Sequence, residues 1–261
     1  MKKWIQTGLA AIMLCTAAAC TTKTEDDHLS RIKAEGKLVI GLEGDWQPFS
    51  YHDADDVLCG VDVEVARGIA ERIGVEAEIV EGKWDGLLTG LSTGTYDIVV
   101  NGVNITEDRQ KTFDFSDPYV YDRTVLVVKE GTDDITSFDD LDGRTTANSI
   151  GSSYMEMGEA YGATVQGVDD LTKCMDLVKN GTVDATINAA TSINDYIKTT
   201  GETCFVTVDE SDTVPYAIPM KKGEDNDTLR QAINKALQEM REDGTLKAIS
   251  EKYFGIDLTQ E

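Results

Sequence analysis

Basic residues are scarce in this chain of 261 residues. Its 24 lysines and arginines are outnumbered by 48 aspartates and glutamates, which gives a formal net charge of −24 at pH 7. A protein that binds nucleic acid needs a basic face for the phosphates, so this balance argues against a nucleic-acid partner. The acidic residues are spread along the chain, as expected of a solvated surface.

Histidine and cysteine are also few, although metal sites and catalytic pairs depend on them. The two histidines are His28 and His52, and the spacings of the five cysteines match no zinc pattern. Phosphate-binding, dinucleotide-binding, zinc-protease and calcium-loop motifs are missing as well. We therefore predict neither a metal nor a cofactor. A disulfide between Cys174 and Cys204 is one possibility in an exported protein, and two buried free thiols are the other.

One catalytic pattern is present, but it does not fit its context. Residues 90–94 have the GxSxG spacing of a nucleophilic serine, which requires a strand before the serine and a helix after it. Here the segment closes a predicted helix and precedes a predicted strand, and neither histidine is placed to act as a base. The sequence therefore predicts a binding protein rather than an enzyme.

The N-terminus differs from this polar composition. Lys2 and Lys3 precede an uncharged, mostly apolar stretch over residues 4–19, which is typical of a secretory signal peptide and short for a spanning helix. Small residues before Cys20 resemble a bacterial lipobox, although Ala17 stands where leucine is usual. Cleavage before a free Cys20 is the alternative. We predict lipidation of Cys20 and an exported protein held by lipid alone at the outer face of the cell membrane, or in the periplasm.

Strand and helix patterns alternate along the rest of the chain. Apolar runs such as 38–42 and 96–100 alternate with helical periodicity such as that over 62–73, where glycine ends the helix. The pattern restarts after a strand over 125–129, which indicates two α/β units with a cleft between them. We predict an α/β fold of two lobes, each a mostly parallel sheet with flanking helices. The predicted organisation is a signal peptide over 1–19, a tether over 20–28, a first lobe over 29–122 plus 221–259, and a second lobe over 123–220.

Polar residues follow the predicted strand 96–100, at the end where open α/β sheets bind ligands. Asn101, Gly102 and Asn104 lie there, and Gly102 would let the backbone approach a ligand closely. Thr106 can cap a short helix that carries Arg109 in its first turn. A guanidinium binds a carboxylate through two parallel hydrogen bonds, so the site would suit a small carboxylic acid. The alternative is a surface ion pair between Arg109 and a neighbouring aspartate.

Two tryptophans lie near the same predicted edge. Trp46 follows the first strand and Trp84 begins a helix. Their flat faces could sandwich a ligand side chain, or they could be ordinary core aromatics.

Several segments, in order, carry a resemblance to a known family: Trp46–Phe49, Gly60–Ala66, Trp84–Leu88, Ile105–Arg109, Phe113–Tyr119, Asp243–Leu246 and Lys252–Gly255. Over residues 29–259 the sequence resembles the extracytoplasmic solute-binding proteins of polar amino acid ABC transporters, the family 3 solute-binding proteins. The segments at Trp84 and at the C-terminal end are most similar to cystine-binding members.

This resemblance implies a type II periplasmic-binding fold, here a monomer, that closes on one amino acid and hands it to the transporter's permease. Arg109 would hold the α-carboxylate with Asn104 beside it, and the Gly102 carbonyl would accept from the α-amine. Trp46 and Trp84 would flank the side chain. The remaining implied contacts are Glu43 at the ligand's far end and the helix N-terminus at Gly151, Ser152 and Ser153 on the carboxylate.

One position departs from the family pattern. Ala189 stands where many members carry the aspartate that binds the α-amine, and Asn188 precedes it. Because an unpaired buried ammonium costs several kcal/mol, either Asn188 or Glu43 takes the amine, or the ligand is not a standard α-amino acid. We expect a receptor for a small polar amino acid, with cystine or a relative as the first candidate. The alternative is a dehydratase-like cleft enzyme that acts on a small carboxylic acid.

Overall fold

The computed structural model describes residues 27–261. The predicted signal peptide, Cys20 and most of the predicted tether lie outside these residues. The first described helix, α1 (His28–Glu35), begins where the Asp27 side chain accepts a hydrogen bond from the Ser30 amide. His28 lies 2.7 Å from Asp97 and 2.5 Å from Asn226 through its two ring nitrogens. The prediction of His28 as a tether residue is therefore wrong, because these long-range contacts place it in the fold.

The first half of the chain alternates short strands with helices, as its periodicity predicts. It contains α2 (Val61–Ile73), α3 (Trp84–Thr93) and α4 (Glu107–Thr112), with strands β1 (Lys37–Leu42), β2 (Asp45–Trp46), β3 (Ser50–His52), β4 (Leu58–Cys59), β5 (Glu76–Glu81), β6 (Ile98–Val99), β7 (Val103–Asn104) and β8 (Phe113–Phe115).

The second half begins with a long strand and ends with two helices. It contains β9 (Val120–Lys129), β10 (Thr145–Ser149), α5 (Ser153–Ala160), β11 (Thr164–Val168), α6 (Leu171–Lys179), β12 (Ala185–Ala189), α7 (Ala190–Thr200), β13 (Phe205–Ala217), β14 (Pro219–Lys221), α8 (Asp227–Glu242) and α9 (Thr245–Phe254).

Two main sheets organise these elements, and we name the lobes by them. The first lobe has the strand order β5-β1-β6-β14-β8, and the second has β11-β10-β12-β9-β13-β7. The two-lobed α/β fold with flanking helices is confirmed. The sheets are mixed rather than mostly parallel, because β14 runs antiparallel to β6 and β8, and β9 runs antiparallel to β12 and β13.

The strands that join the lobes are longer than their sequence predicts. β13 is one strand, whereas the sequence predicts separate strands over 205–208 and 216–220 with a break between them. Its pairing with β9 shifts register twice, between Thr207 and Asp209 and between Glu210 and Thr213. Through these shifts the strand accommodates extra residues, so the polar segment stays within β13. Periodicity alone does not predict this continuity.

The core of the first lobe lies between its sheet and the helices α2 and α8. Each helix buries one face, and α8 buries residues at positions i, i+4, i+7, i+8 and i+11, as an amphipathic helix should. Burying one such aliphatic side chain contributes about 1.5–3 kcal/mol. The fully buried residues at this interface include Ile40, Ile69, Ile233, Leu237 and Met240.

Within the described residues, the structure tests three predictions, which concern the disulfide, a membrane-spanning helix and a metal site. Cys59, Cys174 and Cys204 are free, so the bridge that the sequence left open is absent here. Across residues 27–261, no helix combines the length and the apolar character that crossing a bilayer requires. Within that range no cluster of three or more histidine, cysteine or acidic side chains could hold a metal ion.

Candidate functional site

A cavity lies between the lobes, where strands β1, β6, β10 and β12 end. Open α/β sheets bind ligands at this edge. The first half of the chain lines it with Glu43, Asp45, Trp46, Trp84, Asn101, Gly102, Asn104 and Arg109, and the second half with Ser149, Ser152, Ser153, Tyr154, Asp170, Leu171 and Asn188.

The structure brings together all the predicted site residues except Gly151. Gly151 does not line the cavity, and its φ of 71° serves the turn before α5. Whether the other residues contact a ligand stays a prediction. The lining residues that the sequence did not predict are Asp45, Ser149, Tyr154, Asp170 and Leu171. Asp170 follows a strand that the sequence predicts over 164–168, so the rule that found Asn101 would have found it. Ser149 ends β10, a strand that the sequence did not predict.

Arg109 is held at the cavity by its own helix and by aromatic packing. Its amide donates to Thr106 Oγ1 at 3.2 Å, and its Nη1 donates to the Asn104 carbonyl at 3.1 Å. The guanidinium carbon lies 5.2 Å from the centre of the Trp84 ring, an attractive cation–π arrangement. The side chain is only 8% exposed, and this burial lowers the pKa of Arg109.

The guanidinium lacks a carboxylate partner. Among the described residues, no acid forms an ion pair with Arg109, since Asp108 pairs with Lys111 and Asp114 accepts from the Gly223 amide. The surface-pair alternative is therefore wrong. Arg109 Nη2 is buried without any hydrogen-bond partner. An unpaired buried donor of this kind costs free energy, and a ligand carboxylate would satisfy it.

The N-terminus of α5 lies on the opposite, second-lobe side of the cavity. Ser152 caps this helix by accepting from the Met155 amide at 3.1 Å, and the side chains of Ser152 and Ser153 line the cavity. Helix N-termini favour anions because their first amides lack partners within the helix. A carboxylate bound by Arg109 can therefore be held from both lobes.

Glu43 and Asn101 hold each other at the ends of β1 and β6. The Asn101 side-chain amide donates to Glu43 Oε2 at 2.8 Å, and the Glu43 backbone amide donates to Asn101 Oδ1 at 2.7 Å. Glu43 is 7% exposed. Burial raises the pKa of Glu43 to about 7, more than the Asn101 hydrogen bond lowers it.

The next residue, Gly102, is fixed by a chain of two hydrogen bonds. Its amide donates to the Tyr119 hydroxyl at 3.0 Å, which donates to Asp62 Oδ1 at 2.6 Å. Asp62 is fully buried, and burial raises the pKa of this carboxyl to about 8. On the cavity side, a Cβ on Gly102 would lie 2.6 Å from the ring of Trp46, which stacks on Phe49. The turn is therefore specific for glycine in both conformation and space.

Tyr119→Phe removes the hydroxyl that joins Gly102 to Asp62. The Gly102 amide and the buried Asp62 carboxyl then each lose the hydrogen bond to this hydroxyl, so we expect the free energy of unfolding to fall by about 1–3 kcal/mol. Chemical denaturation measures this change. Tyr121→Phe, at a half-buried tyrosine two residues on, is the control and should change the value by less than about 0.5 kcal/mol. An unchanged value for Tyr119→Phe would show that this hydroxyl does not hold the turn.

Ala189, the departure from the family pattern, is the N-cap residue of α7 and makes no side-chain cap. It is buried outside the cavity lining, whereas Asn188 lines the cavity and accepts from the Ala189 amide at 2.9 Å. Asp122 of β9 lies at this helix start, where its carboxylate accepts from the Thr191 hydroxyl at 2.6 Å. An acid thus supports α7 from a neighbouring strand, but it does not line the cavity.

Known proteins resemble this chain in both sequence and structure. Residues 38–256 match the family model described as bacterial extracellular solute-binding proteins, family 3. The L-cystine-binding protein TcyA of Bacillus subtilis (strain 168) is 36% identical over 274 residues, covering 100% of both chains. An ancestral arginine-binding protein bound to arginine superposes with a TM-score of 0.78 at 36% identity, covering 84% of this chain and 99% of that one. The L-cystine solute receptor of Neisseria gonorrhoeae, in its unliganded open conformation, gives 0.58 at 36% identity, covering 90% and 99%.

Proposed function

The chain belongs to the bacterial extracellular solute-binding proteins of family 3, and on that premise we propose that it captures a small polar amino acid for an ABC transporter. The membership confirms the resemblance found in the sequence motifs. It also confirms a binding protein rather than an enzyme, because the family and the relatives named above are described as binding proteins. The dehydratase-like alternative is therefore set aside.

The observation that carries the proposal is the buried Arg109 guanidinium, which has an unpartnered nitrogen beside the cavity. A ligand carboxylate would supply two charge-assisted hydrogen bonds to it. The α5 N-terminus of the other lobe faces the same cavity. A carboxylate bound between them would stabilise the closed arrangement of the lobes, because it makes both sets of contacts only there.

Similarity to ligand-bound and open relatives supports closure. At the same 36% identity, the TM-score is 0.78 to the arginine-bound protein and 0.58 to the open receptor. The arrangement of the lobes described here thus resembles that of a bound form. In this proposal the permease recognises the closed form. The two lobes move relative to each other as rigid units, with the boundaries that the sequence predicts.

The relatives suggest two candidate ligands. The proposed ligand is L-cystine or a close relative, because the chain is 36% identical to an L-cystine-binding protein over its full length. Arginine is the competing ligand, since one of the superposed structures holds it. Lipid attachment at Cys20 completes the proposal and would keep the receptor beside its permease.

A thermal-shift screen of the processed protein over L-cystine and the common amino acids tests the proposal. A ligand at about 100 times its Kd stabilises the native state by roughly 2.7 kcal/mol. For a protein of this size, we expect L-cystine to raise the unfolding midpoint by roughly 5–10 °C. L-Arginine at the same concentration tests the competing ligand, through the shift in midpoint that it produces. If no amino acid moved the midpoint, the proposed function would be wrong.

A further inference from the structure

Three acidic residues line the cavity, and two of them are already engaged. Asp45 forms an ion pair with Lys83. Asp170 caps α6 by accepting from the Lys173 amide at 2.8 Å, and its other oxygen lies 3.5 Å from Lys173 Nζ. Glu43 differs, because no basic side chain of residues 27–261 lies within ion-pairing distance of it. The cavity therefore contains one deeply buried acid without a counter-charge.

The surroundings of Glu43 keep it in place without neutralising it. Asn101 holds its carboxylate and its backbone, and the backbone amide of Trp84 also favours the ionised form. The titratable groups that act on it are Asp45, which raises its pKa, and Lys83, which lowers it. Two more face it from neighbouring helices, namely Asp62 of α2 and Tyr154 of α5.

The acid expected for an amino group is missing on the other side of the cavity. Ala189 cannot accept a hydrogen bond through its side chain, and Asp122 is engaged with Thr191 at the start of α7. The amide oxygen of Asn188 already accepts from the Ala189 backbone. An ammonium buried in this cavity needs a carboxylate, because an unpaired buried charge costs several kcal/mol.

We propose that Glu43 binds the α-ammonium group next to the carboxylate that Arg109 holds, in place of a carboxylate at position 189. As the ligand enters, Glu43 releases a proton to solvent. This assignment rests on the proposed function, since it takes an amino acid as the ligand. Before binding, the buried carboxyl is largely protonated below neutral pH. The incoming cation favours the carboxylate, so a neutral acid and an ammonium become an ion pair and one proton passes to the buffer. The cavity thereby favours amino acids over simple carboxylic acids.

Ligand affinity should fall as the pH is lowered below 7. In the empty site the pKa of Glu43 is raised to about 7 by burial, and in the complex the neighbouring ammonium lowers it. Between these two pKa values binding must expel a proton, so affinity weakens by up to about tenfold for each pH unit below 7. Above pH 7 the acid is already ionised in the empty site, and this group contributes no further change.

Isothermal titration calorimetry with L-cystine and L-arginine tests the assignment, using the whole protein without its predicted signal peptide. Titrations at about pH 5.5 and about pH 7.5, each in two buffers of different ionisation enthalpy, count the protons released. We expect close to one proton at the lower pH, less at the higher pH, and an affinity that rises between them. Glu43→Gln should release none, lose the pH dependence and bind at least about tenfold more weakly at the higher pH. Glu78→Gln, at a surface acid on β5, is the control and should behave as the parent.

The outcomes separate this assignment from the proposed function. Binding by the parent without proton release, or an unchanged pH dependence in Glu43→Gln, would overturn the role of Glu43 and leave the amino acid receptor intact. Absence of binding by the parent to either probe at both pH values would overturn the proposed function, and the role of Glu43 with it. A thermal melt of empty Glu43→Gln shows whether it folds. We expect it to be more stable than the parent near pH 7.5, where the parent carries a buried carboxylate without a counter-charge.

Discussion

Arg109→Ala is expected to weaken binding of the amino acid ligand by about 100-fold or more while the empty protein stays folded. Each hydrogen bond from a charged donor contributes about 1.5–3 kcal/mol, and a bidentate carboxylate loses two of them. The empty protein should tolerate the change, because the guanidinium is buried without a counter-charge and with one nitrogen unpartnered. Calorimetric titration gives the affinity, and thermal melting gives the stability.

The control for this prediction lies on the same short helix. Lys111 is exposed and pairs with Asp108, away from the cavity lining. Lys111→Ala removes the same formal charge and should leave the affinity within about twofold. Equal losses in the two variants would point to general electrostatics, and no loss in Arg109→Ala would place the carboxylate elsewhere.

Gly102→Ala is expected to damage both the cavity and the fold. At φ +50° an alanine costs about 1–2 kcal/mol, and its Cβ would lie 2.6 Å and 2.7 Å from two atoms of the Trp46 ring. The ring must move or the turn must open, and either change alters the cavity wall. We expect the free energy of unfolding to fall by at least about 1 kcal/mol and ligand affinity to fall at least about tenfold.

Gly86→Ala is the matched control for this substitution. Gly86 lies in α3, and an added Cβ meets nothing within 4 Å. Alanine should therefore stabilise that helix by about 0.5–1 kcal/mol and leave binding unchanged. If Gly102→Ala bound as tightly as Gly86→Ala, the turn at Gly102 would not shape the ligand site.

The sequence predicts most of the elements because their burial follows local periodicity. The buried residues of the helix α8 recur with a period near 3.6, and the strand β1 is a short apolar run. The mixed pairing of the sheets and the continuous β13 do not follow from periodicity. They depend on the direction in which the joining strands return and on register shifts against β9, which are set by distant partners.

The candidate site was predictable on one side of the cavity more than on the other. Asn101, Gly102 and Arg109 follow a recognisable strand, whereas Ser149 ends β10, which the sequence did not predict, and Tyr154 lies in the first turn of α5. The raised pKa of Glu43 could not be predicted, because it depends on burial in the folded protein, and its partner Asn101 lies 58 residues away in the chain. The sequence likewise could not show which acid lies near Ala189. In the structure it is Asp122, which accepts a hydrogen bond at the start of α7.

A crystal structure of the complex with L-cystine is the most direct test of the central claim, that the cavity binds an amino acid through Arg109. The expected result is an α-carboxylate within about 3 Å of Arg109 Nη2, held also by the α5 N-terminus of the other lobe. A ligand bound with its carboxylate away from Arg109, or outside the cavity between the lobes, would contradict the claim.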